Sequence, residues 1–98
     1  MLHIINKSSF ERNSLATATN FVDDTSVILL TEDGVISATK NANSGLIADL
    51  AASGKVYALQ GDVEARGLAE KLADNIKTVD YTGFVELVVE HGTPVSWV

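Results

Sequence analysis

Three aspartates follow short apolar runs, at positions that a parallel sheet would bring to one edge. Asp33, Asp62 and Asp80 each come within three residues of the end of a short apolar run. Ligands of open parallel sheets bind outside the carboxyl ends of the strands, so the three carboxylates would share one edge. Such a group could hold a hard cation, or act in acid–base catalysis by a small α/β enzyme together with a histidine. Aspartate is equally typical of helix caps and turns, and we favour that interpretation.

The other candidate groups point to structural roles. His91 lies at the predicted end of a helix, where the helix dipole favours a cation, and His3 lies in a predicted strand, where we expect it to be packed or hydrogen-bonded. Ser8 begins a capping motif with Glu11. The chain has neither a dinucleotide-binding nor a P-loop glycine motif, and no nucleophile elbow. We therefore predict no catalytic, cofactor-binding or metal-ligating residue.

Composition excludes further classes of function. The chain has no cysteine, which rules out disulfides, thiolate metal sites and cysteine catalysis. Thirteen Asp and Glu against seven scattered Lys and Arg give a formal net charge of −6. Nucleic-acid binding requires clustered cations, so neither direct RNA or DNA binding nor a membrane-surface patch is expected. The longest apolar run is too short to span a bilayer and no signal peptide is evident, so we expect a soluble cytoplasmic protein.

Short apolar runs alternate with helix-like stretches along the 98 residues. Val27 to Leu30 is apolar without alternation, as in a strand that is covered on both faces. This rhythm predicts an α/β fold in a single domain, 1–98. The predicted strands are 2–5, 27–30, 56–59, 76–79 and 95–98.

Four helices are predicted between these strands. The third is capped by Asp62 and carries an apolar stripe of Val63, Leu68, Leu72 and Ile76. Gly67 interrupts this helix, and we expect a glycine there because the helix packs closely on the sheet. The others run from Ser8 to between Asn20 and Val22, from about Asn43 to Ser53 with Gly54 in the left-handed position, and from Asp80 or Thr82 to His91.

Asp33-Gly34 has two interpretations. The pair is a strong signal for a type I′ hairpin between two apolar segments. A helical continuation after the second strand suits the surrounding β-α-β rhythm better, and we favour it.

The C-terminal segment is rich in apolar and aromatic residues. Tyr81, Phe84, Val88 and Trp97 are our candidates for a subunit interface, because aromatic residues are enriched at interface cores. The alternative is a terminal strand that is buried in its own sheet.

With these segments placed, the chain resembles the TusB/DsrH family of DsrEFH-like sulfur-relay subunits from end to end. The order and spacing of several blocks carry the resemblance. These blocks are Met1-Leu2-His3, Leu29-Leu30 with Asp33-Gly34-Val35, Val56-Tyr57-Ala58-Leu59 with Asp62 and Ala65-Arg66-Gly67-Leu68, and Asp80-Tyr81, Phe84-Val85 and Trp97.

The resemblance implies a three-layer α/β/α domain with a mostly parallel sheet of about five strands. It implies a heterohexamer with TusC- and TusD-like subunits, which receives persulfide sulfur from a TusA-like donor. A TusE-like carrier then passes the sulfur on for 2-thiouridine synthesis at the tRNA wobble position. DsrEFH relatives serve sulfur oxidation instead, and this pathway stays open here.

The absence of cysteine sets this chain apart from relatives that carry sulfur themselves. Without a thiol it cannot form a persulfide. We therefore expect a non-catalytic structural subunit that needs no cofactor and contacts other subunits. A self-assembling ligand-binding oligomer is a further alternative.

Overall fold

Five parallel strands form one sheet in the order β4-β3-β2-β1-β5. The computed structural model describes residues 1–7, 14–19, 22, 25–40, 45 and 47–97. The strands are β1 (Leu2–Ile5), β2 (Val27–Leu30), β3 (Val56–Leu59), β4 (Lys77–Val79) and β5 (Val95–Trp97). The first three have the predicted bounds and β4 starts one residue later. Val98, the last residue of the predicted fifth strand, lies outside the described residues.

Helices cover both faces of this sheet. They are α1 (Ser14–Thr19), the 3₁₀ helix η1 (Glu32–Ala38), α2 (Ala48–Ala52), α3 (Gln60–Ala65), the 3₁₀ helix η2 (Ala69–Lys71) and α4 (Tyr81–His91). The sheet and its helices confirm the predicted three-layer α/β/α fold with a parallel sheet. Among the described residues, no helix has both the length and the apolar character needed to cross a membrane.

Alternate residues along the strands pack into two separate cores, because successive side chains point to opposite faces of the sheet. The larger core joins Ile5, Ile28 and Val56 of the sheet to side chains from α1, η1, α2 and α3. The smaller core joins Leu2, Val27 and Leu29 to α4. β2 is buried along its whole length, as its apolar run predicts. One face is therefore covered by several short helices and the other by α4.

α4 has the start and the end that its sequence predicts. The Asp80 carboxylate accepts a hydrogen bond from the backbone N–H of Gly83 at 2.8 Å, which satisfies a free donor of the first turn. Gly92 follows the last residue with φ of 81°, and its N–H donates to the Val88 carbonyl. Both signals are local, so sequence alone places them.

The prediction for the third helix is wrong in two respects. α3 begins at Gln60, so Asp62 is its third residue and not its cap. It ends at Ala65, before Gly67, whose φ of 65° is left-handed. A Cβ at Gly67 would meet no atom within 4 Å, so this glycine is needed for its backbone conformation and not for close packing. The other three residues of the predicted stripe lie outside α3 but still pack on the larger core: Leu68, Leu72 and Ile76.

The segment after β2 is helical, and the hairpin alternative is wrong. Residues 32–38 form η1, in which Gly34, Val35, Ser37 and Ala38 are buried. A hairpin would return antiparallel beside β2, but β1 and β3 already occupy both of its edges in parallel register.

The first two helices are shorter in the described residues than predicted. α1 ends at Thr19, and its predicted capping motif at Ser8 lies outside the described residues. α2 spans Ala48–Ala52, and the predicted start at Asn43 also lies outside them. Gly54 has the expected left-handed φ, 75°.

Candidate functional site

Two of the three candidate aspartates meet at the carboxyl edge of β2 and β3. Asp33 lies in η1 after β2, and Asp62 lies in α3 after β3. Arg66 joins them: its Nη2 is 3.0 Å from Asp33 Oδ1 and its Nη1 is 3.8 Å from Asp62 Oδ1. The Arg66 Nε–H also donates to Asp33 Oδ1 at 3.1 Å. We call these three residues the Arg66 cluster.

The backbone ties the Arg66 cluster to η1. The N–H of Glu32 donates to Asp62 Oδ2 at 2.8 Å, and Glu32 has a left-handed φ of 49°. Asp62 thus accepts from an amide thirty positions away in the chain. Sequence reasoning missed both this bond and Arg66, although an arginine four residues after an aspartate in a helical segment is a known pairing signal.

A glycine lets η1 approach β1. A Cβ on Gly34 would collide with the carbonyl oxygen of Ile5. The same carbonyl accepts from the N–H of Thr31 at 3.0 Å, and the Thr31 carbonyl accepts from the N–H of Gly34 at 2.8 Å. Gly34 therefore serves the close packing of this turn, which brings Asp33 to the sheet edge.

Asp80 does not join the other two aspartates. Its carboxylate caps α4 through Gly83, whereas Asp33 and Asp62 are held by Arg66. Within the described part of the chain, no group of three or more His, Cys, Asp or Glu side chains is placed to hold a metal ion. Chemically, the Arg66 cluster consists of two ion pairs that share one arginine and link α3 to η1.

His3 makes a hydrogen bond across the sheet to Trp97. It is buried in β1, and its Nδ1 accepts from Trp97 Nε1 at 3.1 Å across the β1–β5 pairing. This confirms the expectation that His3 is packed or hydrogen-bonded. His91, the other histidine, is the last residue of α4, as predicted.

The four candidate interface residues have different surroundings. Tyr81 is 74% exposed. Phe84 and Val88 are partly buried against the smaller core, and Trp97 is partly buried against the larger one as part of β5. Two further residues of α4, Val85 and Val89, are 43% and 79% exposed. The most exposed apolar surface of α4 is thus its outward side, which includes only Tyr81 of the four candidates.

Comparison with known proteins places this architecture in a family. A model of the family described as DsrH like protein matches residues 7–93. Protein TusB of Pectobacterium parmentieri is 38% identical over 98 residues, which cover 99% of this chain and 100% of that protein. Protein TusB of Buchnera aphidicola subsp. Baizongia pistaciae is 36% identical over 97 residues, with the same coverage of both chains.

Solved structures share the fold at much lower sequence identity. MTH1491 of Methanobacterium thermoautotrophicum, described as a protein of unknown function, superposes with a TM-score of 0.72 and 16% identity, covering 97% of this chain and 96% of its own. The ychN protein of E. coli also gives 0.72, with 11% identity and coverage of 98% and 97%. Identities this low support the shared fold alone. On the family match and the full-length relatives, the chain belongs to the DsrH-like protein family.

Proposed function

We propose that this chain is a non-catalytic structural subunit of a sulfur-relay complex that supports 2-thiouridine synthesis at the tRNA wobble position. Its partners in this proposal are TusC- and TusD-like subunits, which form a heterohexamer with it. TusA- and TusE-like carriers deliver sulfur to that complex and remove it. The TusB name of its full-length relatives supports the assignment to this pathway.

The absence of cysteine carries the non-catalytic part of the proposal. Sulfur relay proceeds by attack of a thiolate on the outer sulfur of a donor persulfide: the donor's S–S bond breaks, its cysteine leaves as a thiolate, and a persulfide forms on the attacking residue. This chain has no thiol that could attack or be loaded. Its contribution to such a complex is then to bind and position subunits that do have one.

The carboxylates support the same conclusion. A small enzyme that used the aspartates would need them to converge in one pocket, with a free group in reach of substrate. Asp80 instead caps a helix, and Asp33 and Asp62 are paired with Arg66. This arrangement favours a structural role over the enzyme alternative.

Co-purification tests the assembly. The tagged full chain is co-expressed with its TusC- and TusD-like companions, and the complex is analysed by native mass spectrometry. We expect recovery in equal stoichiometry. A monodisperse monomer that binds neither companion would contradict the proposal.

Sulfur loading tests the non-catalytic role. The chain alone and the complex are treated with a sulfane sulfur donor, and their intact masses are measured. We expect added sulfur on a companion subunit only, and none after that companion's reactive cysteine is changed to serine. Added sulfur on the isolated chain would contradict the proposal.

Loss of 2-thiouridine from tRNA in cells that lack the chain distinguishes tRNA thiolation from the sulfur-oxidation alternative.

A further inference from the structure

α4 has a row of exposed apolar side chains along its outward face. Tyr81, Val85 and Val89 are spaced four residues apart, which places them on one side of a helix. Their exposed fractions are 74%, 43% and 79%. Met1 is the only other large apolar residue exposed among those the structure describes. We call these three residues the α4 stripe.

The fold itself does not require the α4 stripe. α4 packs on the sheet through Phe84, Leu87 and Val88, which lie in or against the smaller core. Of the stripe, Tyr81 contacts Phe84 edge-on, with 6.2 Å between ring centroids, and it is still 74% exposed. Valine also has a lower helix propensity than alanine, so Val85 and Val89 are not favoured by helix formation. A contiguous apolar surface without a role in the core indicates an interaction site.

The charges of α4 are all negative at its exposed positions. Glu86 and Glu90 are exposed and border the stripe on the side away from Phe84 and Val88. The helix contains neither lysine nor arginine. No ion pair within the described residues involves either glutamate. A partner that covers the stripe would therefore place cations opposite these two carboxylates.

The same charges disfavour a second copy of this chain as the partner. In a twofold antiparallel pairing of two α4 helices centred on Val85, both copies of Glu86 and Glu90 lie on the same side of the contact. Like charges placed together at an interface oppose association. The formal net charge of −6 on each copy adds to this repulsion.

We propose that the α4 stripe is the docking surface for a companion subunit whose contact face is apolar at its centre and carries lysine or arginine opposite Glu86 and Glu90. The inference rests on the proposed function, because it takes the companions of the sulfur-relay complex as the binding partners. It adds which face of this chain they contact and what chemistry they present.

Variants of the full chain test this surface. Y81A/V89A shortens the stripe and keeps good helix formers, and E86K/E90K reverses the bordering charges. The control is D49K/E70K, which reverses two exposed charges on α2 and η2. Each variant is co-expressed with the two companions, its folding is checked by circular dichroism, and the dissociation constant is measured at two salt concentrations.

We expect Y81A/V89A to weaken binding at least about tenfold, since aromatic anchors dominate interface energetics. E86K/E90K is expected to weaken binding and to reduce its salt dependence, because the paired charges are lost. The control should bind like the wild type.

If wild type binds its companions and both α4 variants bind equally well, the inference is wrong while the proposed function stands. If wild type binds neither companion, both are wrong. A homodimer of the isolated chain that Y81A/V89A dissolves would assign the stripe to a second copy instead.

Discussion

At the scale of single residues, Gly34 is the glycine at which a Cβ would come closest to neighbouring backbone. Gly34→Ala would drive a methyl group into the Ile5 carbonyl, at a turn that also supplies two backbone hydrogen bonds. We expect a loss of about 1–3 kcal/mol in the free energy of unfolding, the usual cost of overpacking. Urea unfolding measures it.

Gly61→Ala is the matched control for this substitution. Gly61 lies in α3, and a Cβ there would meet no atom within 4 Å. Alanine is the better helix former by up to about 1 kcal/mol, so this variant should be as stable as wild type or more so. Equal destabilisation by both alanines would contradict a steric role for Gly34.

The Arg66 cluster should contribute little to stability. Its ion pairs are partly exposed, and exposed pairs are worth about 0.2–1 kcal/mol. A double-mutant cycle of Arg66→Met with Asp33→Asn isolates the pair, because methionine keeps much of the apolar stem. We expect a coupling free energy within that range. A value of several kcal/mol would show that the cluster is a main determinant of stability.

Residue roles were predictable where the partner is close in sequence. Asp80 accepts a hydrogen bond from an amide three positions away, and an aspartate directly before a helix predicts such a bond. Asp62 bonds the amide of Glu32, thirty positions away, and only the packing of β2 beside β3 brings the two together. The same packing pairs Asp33 with Arg66. Neither aspartate caps its helix, so the local interpretation of the two as caps was wrong.

At the scale of elements, α4 depends on its cap. Asp80→Ala removes the acceptor for the Gly83 amide, and loss of such a cap costs about 1 kcal/mol. Asp80→Ser keeps an acceptor and should recover most of the stability. Unfolding followed by circular dichroism compares the two variants. Equal stability of the alanine and serine variants would mean that the cap does not stabilise the helix.

The predicted end of the third helix was wrong because Gly67 was interpreted as a closely packed glycine inside the helix and not as its end. The apolar spacing from Val63 to Ile76 fits a helix, yet only Val63 lies in one. Leu68 and Leu72 flank η2, and Ile76 directly precedes β4, although all three pack on the same core. Burial selects apolar residues at similar intervals in each case. The left-handed Gly67 follows the end of α3 as the left-handed Gly54, which the sequence predicts, follows the end of α2.

At the scale of the whole molecule, the two faces of the sheet differ in how fully they are covered. Several helices cover one face, and α4 covers the other at its centre, where Leu2 and Leu29 are buried. The outer strands on the α4 side present Lys77 and Ser96, which are exposed and polar. The sheet therefore needs no second helix there, and the apolar surface that remains lies on the outside of α4.

This surface and the net charge together predict how the isolated chain behaves with pH. At neutral pH a formal charge of −6 keeps copies apart, whereas the sequence pI is about 4.6. The net charge falls towards zero as the pH approaches this pI, which weakens the repulsion between copies and leaves the α4 stripe free to associate. Light scattering of the isolated chain should therefore rise between pH 7 and about pH 5. Y81A/V89A has the same charge, so its scattering should rise much less if apolar contact through the stripe drives association. Equal scattering by the two proteins would assign the association to another surface.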